Sequence, residues 1–185
     1  MAGPVTRKAV FLDRDGVLNR SPVIDGKPYA PCHVRDFRLL PKTRRAADRL
    51  KRAGFLLIVV TNQPDIGNGL VAAETVAEMH RRLRERLPVD DIRMCPHAQD
   101  AGCDCRKPAP GMLIAAARSW NISLPDSFLV GDRYSDIEAA NRAGCRGILV
   151  DRGYREVASC PPFARVRSLS QAVDMICSGH VANLG

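Results

Sequence analysis

The sequence predicts an α/β fold, a mostly parallel β-sheet with helices on both faces. Two observations predict it. Apolar runs of strand length alternate along the chain with segments whose apolar residues recur at i, i+3/i+4 and i+7, the alternation that βαβ units produce. The strand-like runs are also apolar at consecutive positions, as a strand covered on both faces requires. Such units build a Rossmann-like three-layer sandwich, and 185 residues suit one domain spanning 1–185.

Lys8 to Asp13 (KAVFLD) is the first strand, a short apolar run closed by a carboxylate. Thr43 to Ala53 is a helix with Ala46, Ala47, Leu50 and Ala53 on one stripe, and Gly54 stops it. Phe55 to Asn62 (FLLIVVTN) is the longest apolar run, β-branched and buried in character. Val76, Met79, Leu83 and Leu87 make the next helix before Pro88, and Asp91 to Cys95 is a weaker strand. Pro110-Gly111 opens a helix through Leu113, Ala117 and Trp120. Ser127 to Asp132 and Arg146 to Asp151 are further strands, separated by a short helix over Ser135 to Ala143 that Gly144 ends. Ser170 N-caps a last helix to about Cys177. Arg20 to Pro41 and Pro96 to Pro110 have no periodicity and read as loops. Parallel sheets bind ligands at the carboxyl ends of their strands, where Asp13, Thr61-Asn62 and Asp132 stand.

Composition narrows the function classes. Hydrophobic residues at 45% and charged residues at 26% allow a real core and exclude a disordered chain. The formal charge of +8 raises phosphate, nucleic acid and anionic membrane as partners. Yet the cations are dispersed, 23 of them arginines, and aromatics at 5% offer no stacking platform, so no nucleic-acid partner is expected. No apolar run reaches membrane-spanning length and residues 1–8 carry no apolar leader, so a cytoplasmic, membrane-free protein is expected. Seven cysteines, an odd number in a chain of this size, point to metal before disulfides.

Asp13-Arg14-Asp15-Gly16 places two carboxylates at i and i+2 after a strand, so that one can attack a phosphoryl group while the other gives and takes a proton. Such crowding of like charge asks for a cation, and a hard, oxygen-seeking Mg²⁺ suits it. Thr61-Asn62 offers a hydroxyl and an amide to phosphate, Lys107 a point charge, and Asp132 with Asp136 two more carboxylates at a helix start. Read singly, each has an ordinary alternative: a solvated turn, an Asx-turn, a surface lysine, N-caps. Cys95-Pro96-His97 and Cys103-Asp104-Cys105 bring one imidazole and three thiolates within eleven residues, the soft four-coordinate set that structural Zn²⁺ prefers, in a loop at 95–105. Its expected task is to pin that loop and place Arg106 and Lys107 over phosphate.

In this order, Phe11-Leu12-Asp13-Arg14-Asp15-Gly16, Val60-Thr61-Asn62-Gln63, Cys105-Arg106-Lys107-Pro108 and Val130-Gly131-Asp132-Arg133 resemble the four motifs of the haloacid dehalogenase-like phosphatases, over roughly residues 8–155. The resemblance implies that Asp13 is the nucleophile forming an aspartyl-phosphate and Asp15 the general acid and base. It implies that Thr61 and Lys107 hold the phosphoryl oxygens, and that Asp13, the Asp15 carbonyl and Asp132 bind Mg²⁺. Within the family the zinc loop resembles two groups, the heptose bisphosphate and the histidinol-phosphate phosphatases. The short spacing from His97 to Cys103 is similar to the second, and Lys107-Pro108-Ala109-Pro110-Gly111-Met112 to the first.

The heptose group is favoured, implying removal of the 7-phosphate of a heptose 1,7-bisphosphate for activated-heptose biosynthesis in lipopolysaccharide or capsule formation. Asn62, Gln63, Arg106, Arg133 and Ser21 are its implied substrate-binding residues, and the partner is a small phosphorylated sugar met by a monomer. A nucleic-acid 3′-phosphatase or a zinc-loop nucleic-acid-binding protein is the alternative from another class. Val17, Pro64-Asp65 and the long segment 20–41 depart from the usual pattern and bear on specificity. No gap has room for a large cap domain. His33, His80 and His180 read as surface or loop histidines.

Overall fold

The computed structural model describes residues 6–179. Six strands form one sheet: β1 (Ala9–Leu12), β4 (Leu56–Asn62), β5 (Asp91–Cys95), β6 (Phe128–Gly131), β7 (Arg146–Val150) and β8 (Ala164–Val166). Their order is β5-β4-β1-β6-β7-β8, every pair parallel. The chain runs outward from β1 through β4 to β5, returns to β6 on the other side of β1, and runs outward again. The reversal makes a crevice at the carboxyl ends of β1 and β6, where such sheets bind ligands.

Successive side chains of each strand point to opposite faces, and both faces are dry. Val10, Leu12, Leu57 and Val59 enter one core with α1 (Thr43–Arg52), α3 (Ala73–Arg86) and α6 (Leu169–Cys177), through Leu50, Met79, Leu83 and Val173. Ala9, Phe11, Leu56, Ile58 and Val60 enter the other with α4 (Gly111–Trp120) and α5 (Tyr134–Ala143), through Leu113, Ala116 and Ala140. The result is the three-layer sandwich expected. β5, an edge strand, is only half-buried along most of its length, which explains its weaker apolar signal.

Four features differ from the sequence reading. The segment after β1 contains a small antiparallel hairpin, β2 (Val23–Ile24) with β3 (Lys27–Pro28), too short to show periodicity. A one-turn helix, α2 (Pro64–Gly67), follows β4, and β8 extends the sheet with three residues. The last helix is capped by Ser168 rather than Ser170: the Ser168 hydroxyl accepts from Gln171 N at 3.3 Å. Two serines two residues apart cannot be ranked as caps without the backbone angles that select one. His180 lies outside the described residues.

Candidate active site and metal centre

Asp13 follows β1, tied to the neighbouring strand by its N–H to Val130 O (2.9 Å). It is 7% exposed. Lys107, from the loop before α4, reaches it: Nζ donates to Asp13 Oδ1 at 2.8 Å and to Val60 O at 2.8 Å, and pairs with Asp136 Oδ1 at 2.5 Å. Burial opposes the charge on Lys107, but Asp13 and Asp136 overcome it and hold the ammonium above its ordinary value. Carboxylate oxygens of Asp13, Asp132 and Asp136 lie within 4.8 Å of one another, all buried. Burial, with Asp136 and Asp15 adding and Lys107 opposing, pushes Asp13 up to about 6. Burial first, then Asp13 and Asp136, raises Asp132 well above its ordinary value.

Three buried acids with one lysine are short of positive charge, and Asp132 Oδ1 is buried without a hydrogen-bond donor among the described residues. Hard oxygen donors with an orphaned buried atom fit a divalent cation of the Mg²⁺ type. Gly16 makes this packing feasible, because a Cβ there would stand 1.8 Å from Asp132 Oδ2, and its φ of +84° also suits glycine alone. Asp136 does two jobs, since its Oδ2 also accepts from Arg133 N (3.1 Å) at the start of α5.

Asp15 lines the same cleft, which has about 170 Å³ of free volume and also touches Ser21, Asn62 and Arg133. Its carboxylate accepts from Asn19 Nδ2 and Gln63 Nε2, both at 2.8 Å, and from the Arg14 guanidinium. Not every expected residue faces the opening. Gln63 is 3% exposed and bridges Asp15 Oδ2 to Thr61 Oγ1 (2.8 Å), and Thr61 itself is 1% exposed. Asn62 spends its amide on the Lys107 backbone, accepting from N at 3.1 Å and donating to O at 3.0 Å. Arg106 is half-buried outside the cleft lining, with Nη1 unpaired among the described residues. Arg133 is exposed and paired with Glu156.

The residues that sequence reasoning left aside lie mainly on residues 152–156, a strap after β7. Tyr154 donates its hydroxyl to Asp132 Oδ2 at 2.7 Å, and Arg152 donates to Gly16 O at 2.7 and 3.0 Å. Glu156 accepts from Tyr134 N at 3.1 Å. The strap has no periodicity, so only its position after a strand could have flagged it.

Beside the cleft, Cys95, His97, Cys103 and Cys105 converge. Sγ of Cys95 is 3.5 Å from both His97 Nδ1 and Cys103 Sγ, and Cys105 Sγ is 3.2 Å from His97 Nδ1 and 3.5 Å from Cys103 Sγ. The edge of a tetrahedron drawn from Zn–S bonds is about 3.8 Å, so the four atoms fit one zinc ion. Burial, with the sulfurs of Cys95 and Cys103, pushes the Cys105 thiol up to about 12, a crowding that a bound cation relieves. The loop abuts α2 so closely that a Cβ at Gly67 would lie 2.4 Å from Ala98 N.

The HAD-hydrolase-like family model matches residues 104–172. The D-glycero-beta-D-manno-heptose-1,7-bisphosphate 7-phosphatase of Pseudomonas putida is 39% identical over 154 residues, 80% of this chain and 85% of that protein. The D-glycero-alpha-D-manno-heptose-1,7-bisphosphate 7-phosphatase of Mycobacterium tuberculosis is 39% identical over 142 residues, 71% of this chain and 70% of that protein. The crystal structure of D,D-heptose 1,7-bisphosphate phosphatase from B. bronchiseptica, complexed with magnesium and phosphate, superposes with a TM-score of 0.80 at 34% identity, covering 92% of this chain and 98% of that one.

Proposed function

The chain belongs to the haloacid dehalogenase-like hydrolases, and from that premise we propose that it removes the 7-phosphate of D-glycero-D-manno-heptose 1,7-bisphosphate with Mg²⁺. The observation that carries the proposal is the meeting of Asp13, Lys107, Asp132 and Asp136 at the mouth of β1 and β6. Asp13 attacks phosphorus in line, forming an O–P bond as the P–O bond to the sugar breaks. Asp15 passes a proton to the departing alkoxide. The Asp15 carboxylate then takes a proton from water, whose oxygen attacks phosphorus and releases phosphate and Asp13. Lys107, which lines the cleft, holds the phosphoryl oxygens. Asp13, the Asp15 carbonyl and Asp132 would hold Mg²⁺, which supplies charge neutralisation and orientation when bound.

Zn²⁺ on the Cys95–His97–Cys103–Cys105 cluster has a structural task, because all four donors are spent on the loop. Arg133 is assigned to the phosphate that is not cleaved, with Ser21 and Asn62 framing the mouth, whereas Gln63 and Arg106 lie outside the cleft lining. No helix among the described residues is long and apolar enough to cross a membrane. Free cysteines throughout suit a reducing cytoplasm. A monomer is part of the proposal.

A parallel assay tests the reading: kcat/KM on the alpha and beta anomers of heptose 1,7-bisphosphate, on fructose 1,6-bisphosphate and on histidinol phosphate. One of the heptose anomers is expected to be preferred, and Asp13→Asn is expected to abolish turnover. A preference for histidinol phosphate, or appreciable activity of Asp13→Asn, overturns it.

A further inference from the structure

Arg14 is the largest fully buried side chain among the described residues, 0% exposed, and it has left water for few partners. Its Nη2 donates to Asp15 Oδ2 at 2.9 Å and its Nε to both Asp15 oxygens at 3.2 Å. The remaining arm, Nη1, lies 3.1 Å from Nε2 of His80 on α3, and the guanidinium stacks 5.7 Å from the Phe37 ring centre. His80 is half-buried, and burial together with the Arg14 charge lowers it to about 4, so at neutral pH its ring is uncharged and Nε2 accepts from Arg14. A buried guanidinium whose arms are all spent cannot rotate without stranding a charge. Asp15 is the reverse case: 13% of its side chain stays exposed, and it borders the cleft.

We propose that Arg14 and His80 form a positioning relay for Asp15: His80 fixes the guanidinium from the far side, and the guanidinium aims the Asp15 carboxylate at the oxygen that leaves. The relay rests on the reading above that Asp15 gives and takes the proton. It makes the aim of the proton donor depend on α3, an element that contributes no residue to the cleft lining. Packing alone does not ask for this chemistry, since an apolar side chain would fill the space beside Phe37 without desolvating a charge.

Leaving-group dependence tests the relay. kcat/KM covers the steps up to departure of the leaving group, and p-nitrophenolate departs without a proton whereas a sugar alkoxide needs one. Wild type, Asp15→Asn, Arg14→Lys, His80→Phe and His80→Gln are compared on fructose 1,6-bisphosphate and on p-nitrophenyl phosphate, with Tm recorded for each.

Asp15→Asn is expected to lose about 100-fold or more on the sugar phosphate and much less on the aryl phosphate. Arg14→Lys, which keeps the charge but loses the fork, and His80→Phe, which keeps the ring but loses the acceptor, are expected to lose about tenfold on the sugar phosphate alone. His80→Gln restores an acceptor and is expected to recover most of that loss. If Asp15→Asn has the split and Arg14→Lys and His80→Phe lose equally on both substrates, or lose nothing, the relay is overturned while the role of Asp15 stands. Equal losses on both substrates for Asp15→Asn overturn that role and the relay with it.

Discussion

At the residue scale the site is a problem in charge, and Tyr154 shows how it is managed. Its hydroxyl occupies Asp132 Oδ2, which leaves Oδ1 as the oxygen without a partner among the described residues. Outer partners of this kind orient metal ligands, and losing one weakens metal affinity by about 10- to 100-fold. Tyr154→Phe is therefore expected to raise the Mg²⁺ concentration at half-maximal activity by about tenfold, with Tm in the absence of Mg²⁺ little changed. A Mg²⁺ titration of kcat/KM reads this, and an unshifted midpoint contradicts it. The meeting of Asp13, Asp15, Lys107 and Asp132 in one cleft was legible because all four stand in short motifs, three of them at or just after strand ends. Arg14, His80 and Tyr154 were not legible: Arg14 and His80 are 66 positions apart, and a single histidine or tyrosine carries no pattern until the fold supplies its neighbour.

At the scale of elements, the alternation of strands and helices was readable because burial on both sheet faces forces apolar runs, and helical stripes force the 3.6 period. What could not be read were pieces too short to have a period, such as β2, β3, α2 and the three residues of β8. The loop between β5 and α4 is the case with most consequence. It has almost no apolar content, and its shape depends on four side-chain atoms and on backbone bonds such as Gly111 N to Asp104 O (3.1 Å). Lys107 sits at its end, held by Asn62. Removing the loop metal with a zinc-selective chelator in the presence of excess Mg²⁺, or introducing Cys105→Ser, is expected to lower Tm and to cut kcat/KM by about tenfold or more, because Lys107 loses its place over Asp13. Thermal unfolding and steady-state kinetics with and without the chelator check it; full activity in a zinc-free protein would be the contrary result.

At the scale of the whole molecule, the +8 charge is largely neutral to function. Many arginines pair along helix faces, Arg44 with Asp48, Arg81 with Glu78, Arg142 with Glu138, in exposed i, i+3 or i, i+4 pairs of small energetic weight. Buried groups set the pH response instead. His80 lies at about 4 in the fold against an ordinary 6.5, so as pH falls through that window the unfolded chain binds a proton the folded chain refuses, and stability present above 6.5 is lost. Asp13 has the opposite sign: raised from 3.8 to about 6, it contributes stability at low pH that is lost as pH rises through about 6. In Mg²⁺-free urea unfolding, His80→Gln is expected to lose the destabilisation that wild type acquires between pH 6.5 and 4. Parallel pH curves for the two proteins would refute this.

The order of the strands has one more consequence. β1 and β6 are neighbours in space, yet the bond from Ala9 N to Ser127 Oγ joins residues 118 positions apart. Asp13, the proposed nucleophile, belongs to the first half of the chain and Asp132 and Asp136, which face it, to the second. Catalytic competence is thus a property of a seam: an excursion that parts β1 from β6 leaves each half its own strand pairs and helices while dissolving the active centre. Activity reports on the closure of that seam before it reports on global unfolding.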